Sequence, residues 1–203
     1  LHQQINKHRW SVLVCHRRFG KTVCMINHLI KSALMCKHKN PRFAYIAPTF
    51  KQAKSIAWDY MKQFTAKIPA TKFNETELRV DLPNGARITL LGAENSDGLR
   101  GIYLDGCVID EYANIEGKLF AEIIRPALSD RKGYCVFIGT PAGMNNNFYD
   151  LYQHANGADD WFNYKAKASD TKIVDPEELE KAREVMGEKK YLQEFECDWI
   201  ANI

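Results

Sequence analysis

The 203-residue chain has no run of 18 apolar residues, no Cys-x-x-Cys pair and no strong excess of either charge. The first lack leaves no helix able to cross a bilayer, since a crossing takes about 20 apolar residues. No secretory leader is expected either, because Leu1-His2-Gln3-Gln4 runs directly into polar sequence. An opening on Leu in place of Met points to a piece of a longer protein. The six cysteines, at 15, 24, 36, 107, 135 and 197, lack metal-ligand spacing, and Cys36-Lys37-His38 lacks a second pair. They read as reduced core residues, which excludes a disulfide scaffold or a zinc module. A net charge of +3, from 28 basic and 25 acidic residues, is too small to establish nucleic-acid binding. The basic clusters at Lys37-His38-Lys39 with Arg42, at Lys51 with Lys54, and at Lys189-Lys190 are accounted for by solvated turns and helix faces. What remains is a chain with 45% hydrophobic residues, enough for one domain with a small appendage.

The informative stretch is Cys15-His16-Arg17-Arg18-Phe19-Gly20-Lys21-Thr22. It closes the apolar run Ser11-Val12-Leu13-Val14 and opens an amphipathic segment from Val23 to Leu34, the layout of strand, tight loop and helix. Such a loop wraps phosphates in backbone N–H groups, adds a helix N-terminus and a Lys ammonium, and offers a hydroxyl to Mg²⁺. Gly20, Lys21 and Thr22 supply the last parts in order. The usual motif begins with Gly where this chain has Cys15, so the loop is a deviant one.

A second signal is Gly106-Cys107-Val108-Ile109-Asp110-Glu111, a short apolar strand ending in two carboxylates. In nucleoside triphosphatases of this kind the strand-end Asp holds Mg²⁺, and the next Glu orients and deprotonates the attacking water. A solvated strand end is the plainer reading of an isolated Asp-Glu pair. That reading does not account for a phosphate loop about 90 residues earlier, since both then fall at the C-terminal edge of one parallel sheet. A third apolar run, Tyr134 to Ile138, leads into Gly139-Thr140-Pro141 and is expected beside the strand carrying Asp110.

The remaining pattern is α/β. A helix is expected over 21–38 and a strand over 42–47, followed by a long helix capped by Pro48-Thr49 and running through Ile68. Leu78–Leu82 and Arg87–Leu91 alternate around Pro83-Asn84-Gly85, which predicts an edge hairpin. Glu94 to Gly101 reads as a polar surface loop. A helix over 120–128 should break or kink near Pro126. Beyond Gly143 the pattern gives a helix over 148–154, an alternating strand over 161–167, a helix opened by Asp175-Pro176 and a last helix over 188–199.

As an ordered set these residues resemble one family, the large subunit of the tailed-phage terminase, an ATP-driven DNA-packaging motor. The resemblance is carried by His16 to Thr22, by Tyr45-Ile46-Ala47-Pro48-Thr49 ahead of a helix, by Arg100-Gly101 upstream of Val108 to Ala113, and by Gly139-Thr140-Pro141. It implies an additional-strand P-loop NTPase: a central, mostly parallel sheet flanked by helices, with an antiparallel edge hairpin and a small C-terminal lid. The ATPase core is expected over 1–156 and the lid or linker over 157–203, with the family's RNase H-type nuclease domain absent from this chain. Acidic residues after Gly143 are too scattered to build such a two-metal site. The resemblance further implies nucleotide contacts from His16, Arg17, Arg18, Phe19, Gly20, Lys21 and Thr22, and Mg²⁺ held by Thr22 and Asp110. Catalysis is expected from Glu111, with Arg17 acting in cis and Arg100 offered to a neighbouring subunit. Gly139, Thr140 and Pro141 would couple hydrolysis to movement. The family's adenine-contacting glutamine lies upstream of the loop, and Gln3 and Gln4 both stand open for it. Partners implied are double-stranded DNA, the portal protein, the small terminase subunit and identical subunits in a ring on the procapsid, in the host cytoplasm and with no membrane.

Two other readings stand beside this one. A helicase-like, nucleic-acid-dependent ATPase shares the loop and the Asp-Glu strand but needs a second RecA-like domain, for which 203 residues leave no room. A non-hydrolysing ATP-binding assembly module has no need of Glu111.

Overall fold

A computed structural model describes residues 1–200. Its strands are β1 (Trp10–Cys15), β2 (Arg42–Ala47), β3 (Lys72–Asn74), β4 (Arg79–Asp81), β5 (Arg87–Gly92), β6 (Gly106–Ile109), β7 (Tyr134–Gly139) and β8 (Trp161–Ala166). They form one sheet in the order β3-β4-β5-β2-β6-β7-β1-β8. All neighbours pair in parallel except β3 with β4 and β4 with β5. Strands β1 and β6 are buried at every residue, the mark of a parallel strand covered on both faces. Because side chains alternate, Leu13, Tyr45, Val108 and Val136 enter one core, while Val12, Ile46, Ile109 and Phe137 enter the other.

The helices are α1 (His2–Lys7), α2 (Lys21–Met35), α3 (Phe50–Ala53), α4 (Asp59–Thr65), α5 (Gly117–Leu119), α6 (Arg125–Ala127), α7 (Asn147–Ala155), α8 (Ala168–Thr171), α9 (Pro176–Met186) and α10 (Glu188–Phe195). Helix α2 packs Met25, Ile26 and Leu29 on the first core, and α7 packs Phe148 on the second. The long helix expected after Pro48-Thr49 runs from α3 through a π turn, Lys54–Trp58, into α4, and the Thr49 hydroxyl caps it by accepting from Gln52 N. Between α5 and α6 another π turn, Phe120–Ile124, precedes Pro126. A wider turn upstream accommodates the missing N–H, so the helix continues to Ala127 where a break or kink was expected.

Three boundaries differ from the sequence reading for physical reasons. Helix α2 stops at Met35 because His38 and the Arg42 N–H both bond the buried Asp105 carboxylate, at 2.6 and 2.8 Å, which pulls the chain into a turn. Helix α10 ends at Phe195, short of Trp199, and Cys197 follows in the left-handed region at φ +55°. Strand Trp161–Ala166, expected to open the lid, pairs instead with β1 along six residues, so the central sheet runs past residue 156. Periodicity gave the strand but not its partner, which lies about 150 residues earlier in the chain. Helices α8 to α10 gather over a separate small core of Ala168, Tyr191 and Phe195. Positions 201–203 of the expected lid lie outside the described residues. The hairpin forms as expected: Gly85 takes φ +83° in the turn, and the Asn84 side chain donates to Ala33 O at 2.8 Å, tying the turn to α2.

His28 on α2 is 2% exposed, and burial pushes its pKa down from 6.5 to about 4, with the neighbouring His2 and Lys31 charges adding to the effect. Folding therefore favours the neutral ring. Above pH 6.5 both states are neutral; as pH falls from there towards 4 the unfolded chain takes up a proton first and stability drops, by up to about 3 kcal/mol. Urea unfolding at pH 7 and at pH 4.5 should show a smaller acid loss in His28→Gln than in the parent. Equal losses would contradict the assignment.

Candidate active site

The C-terminal ends of β1, β6 and β7 meet at one edge of the sheet, with β7 between the other two. From β1 the chain turns through the phosphate loop, where Arg18 and Gly20 take left-handed φ of +68° and +86°. Gly20 is the N-cap of α2 and supplies no side-chain cap, so the first N–H groups of a 15-residue helix are left for a ligand. Left-handed turns next to helical ones also point successive N–H groups at one spot, a ready anion cradle.

The loop is braced from below. His16, expected among the nucleotide contacts, is fully buried, and its ring is committed to Arg17 O through Nδ1 and to Thr171 Oγ1 through Nε2, both at 2.7 Å. Burial lowers its pKa, which favours a neutral ring donating from Nδ1 and accepting the Thr171 hydroxyl. Its role is to shape the loop. Phe19 packs against the first core with its ring against His16, while Arg17 and Arg18 stay exposed. Cys15 lies buried beneath the loop, and burial pushes its thiol up to about 12, so it is no nucleophile.

A cavity of about 590 Å³ opens over the loop, lined by Arg17, Lys21, Glu111, Thr140, Gln193 and Glu194 among others. Thus the loop, the Asp-Glu pair and the Gly139-Thr140-Pro141 segment, far apart in sequence, converge as expected. Asp110, next to the lining residue Glu111, is buried at 2% exposure. Its Oδ1 accepts the Glu111 N–H at 2.8 Å and its Oδ2 accepts the Tyr45 hydroxyl. Burial raises its pKa, against the pull of the Tyr45 hydrogen bond, the Lys21 charge and the Glu111 N–H. Glu111 itself sits in the left-handed region at φ +49°, a strain for a non-glycine that turns its side chain off the strand line at the cavity wall. Arg100 is not in this cavity. It stands 58% exposed on a separate surface hollow with Pro48, Asn114 and Glu122, near Asp97 and Glu122.

Sequence reasoning missed the contribution of the C-terminal helices. Glu194 O accepts the Arg17 N–H at 2.7 Å, and Gln193 Nε2 donates to Pro141 O at 2.7 Å. Helix α10 therefore touches both the phosphate loop and the Thr140-Pro141 segment. No motif marks Gln193, and only its position on the half-buried face of the last helix hints at a role. Tyr45 belonged to a recognised segment but had no assigned task.

The donor set here is a carboxylate and a hydroxyl, Asp110 after β6 and Thr22 in the first turn of α2, and these hard oxygen donors fit Mg²⁺. A buried carboxylate with raised pKa is also short of positive charge, which a divalent ion would supply. Gln3 and Gln4, both candidates for an adenine contact, lie exposed on α1.

Comparison with known proteins accords with this arrangement. A family model described as the terminase large subunit, T4likevirus-type, N-terminal, matches residues 14–202. The large subunit of the terminase of Thermus virus P23-45 is 31% identical over 126 residues, covering 53% of this chain and 26% of that protein. The matched stretch thus spans about a quarter of the curated relative's length. Among solved structures, the large terminase ATPase domain of Thermus phage P74-26 superposes with a TM-score of 0.81 at 22% identity, over 98% of this chain and 92% of that one. The large terminase of another thermophilic bacteriophage, in complex with ADP, gives 0.81 at 16% identity, over 97% of this chain and 49% of that one. At these identities the structures establish the shared fold, and the family model establishes kinship: the chain belongs to the family of the terminase large subunit N-terminal domain.

Proposed function

We propose that this chain is the ATP-hydrolysing domain of a large terminase, and that its hydrolysis drives double-stranded DNA into a procapsid. The observation that carries the reading is a single cavity at the sheet edge lined by both Lys21 and Glu111, with Thr22 next along α2 and the buried Asp110 accepting the Glu111 N–H. The loop N–H groups and the start of α2 receive the phosphates, and Lys21 offsets their charge. Mg²⁺ held by Thr22 and Asp110 would neutralise phosphate charge in this site. Glu111, at the cavity wall, takes the proton of the attacking water. Arg17 sits on the loop within the same cavity and can place its guanidinium on the developing charge in cis. Gln193 bonds Pro141 O, which gives a change at Gly139-Thr140-Pro141 a direct route to α10.

Arg100, outside this cavity and exposed on an adjoining hollow that shares Asn114 with it, fits an arginine offered to a neighbouring subunit's nucleotide in a homo-oligomeric ring. Portal protein and small subunit as partners, the host cytoplasm as location, and the nuclease domain as a separate part of the full protein belong to the same proposal.

Lys21→Ala should abolish ATP binding, while Glu111→Gln should retain binding and lose about 10² to 10⁴ in turnover, read as Mg²⁺-dependent phosphate release. Parental turnover in Glu111→Gln would remove the general base, and binding without any turnover in the parent would favour the non-hydrolysing module.

Mixing Arg100→Ala subunits with Glu111→Gln subunits tests the arginine. Such a group is worth about 10³ to 10⁵ in rate. If it acts in trans, each inactive variant supplies what the other lacks and activity partly returns under assembling conditions. No recovery at any ratio would sink that role.

A further inference from the structure

The Asp110 carboxylate is held by two donors from different elements, and only one of them comes from its own strand end. The Glu111 N–H fixes Oδ1, while Oδ2 takes a hydrogen bond from Tyr45, a fully buried residue of the neighbouring strand β2. Tyr45 faces the same core as α2. A phenol has one proton to give, and Tyr45 gives it to Asp110. The strand next to β6 thereby sets the direction of the oxygen that its own strand end does not reach.

We propose that Tyr45 is a positioning residue for the divalent cation: it holds the Asp110 carboxylate in a preformed orientation, and this inference rests on the ATPase reading above. The chemistry of the site favours the assignment. A carboxylate with a free rotor can turn its oxygens away from a cation, whereas one pinned at both oxygens keeps one lone pair on each in a fixed direction. Partners that orient metal ligands in this way are worth about 10- to 100-fold in metal affinity. The bond is sheltered: Tyr45 and Asp110 are 0% and 2% exposed, so water does not replace the lost donor when the hydroxyl is removed.

Tyr45→Phe removes that oxygen and leaves the ring in the core. The test is calorimetric binding of ADP and of a non-hydrolysable ATP analogue across a Mg²⁺ series, with thermal unfolding followed in parallel. The expected result is a Mg²⁺ half-saturation raised about 10- to 100-fold in the variant, with nucleotide affinity in the absence of metal unchanged. A purely structural role would lower the melting temperature and leave the Mg²⁺ half-saturation at the parental value, and that result would overturn the proposal. If Tyr45→Phe does not fold, 4-fluorophenylalanine at position 45 fills the hydroxyl's space without donating and gives the same reading. A parent whose nucleotide binding ignores Mg²⁺ would instead overturn the ATPase reading on which the proposal stands; a parent that responds and a variant that matches it would overturn the proposal alone.

Discussion

The arrangement of the site depends on a carboxylate kept out of water. Asp110 ends β6 at 2% exposure, and burial raises its pKa, so its charge is sustained by what surrounds it. The surroundings come from four places: the Tyr45 hydroxyl on β2, the Glu111 N–H, the Lys21 ammonium at the start of α2, and the ion that the oxygen donors are suited to hold. The sheet order explains why they can meet. With β7 between β6 and β1, the phosphate loop lies two strands from Asp110, leaving a gap over the end of β7, where Thr140 lines the cavity.

The same gap is roofed by α10, which a reading limited to the phosphate loop and the Asp-Glu strand would leave out. The Arg17 N–H to Glu194 O bond and the His16 to Thr171 bond fasten the C-terminal helices to the loop, and the Gln193 to Pro141 bond fastens them to the segment after β7. Gln193 is 4% exposed, and its Oε1 has no hydrogen-bond partner among the described residues, so the cavity roof carries an acceptor in want of a donor. A helix tied in this way to both the loop and the strand-end segment cannot ignore what occupies the cavity.

Local chemistry made much of this legible in the sequence. Strand β2, the capped helix after Thr49, the Asn-Gly hairpin and the strand–loop–helix at Gly20 follow from periodicity and turn residues acting over a few positions. What stayed hidden depends on pairing across long stretches of chain. Trp161–Ala166 alternates like any exposed strand, and nothing local says that its partner is β1. His16 looked like a ligand because it sits in the loop, but its two hydrogen bonds go to a backbone oxygen and to Thr171, a residue no motif would join to it. Tyr45 was visible as part of a family segment, yet its bond to Asp110 needed the strand order β2-β6 to be known.

The most direct measurement is a crystal structure of the chain with Mg²⁺ and a non-hydrolysable ATP analogue. The expected result is phosphates cradled by the N–H groups of Arg18 and of 20–22, the ion between Thr22 and Asp110, and Glu111 facing the terminal phosphate in the cavity beneath α10. Nucleotide bound at another place on the molecule, or an ion bound without Asp110, would contradict it.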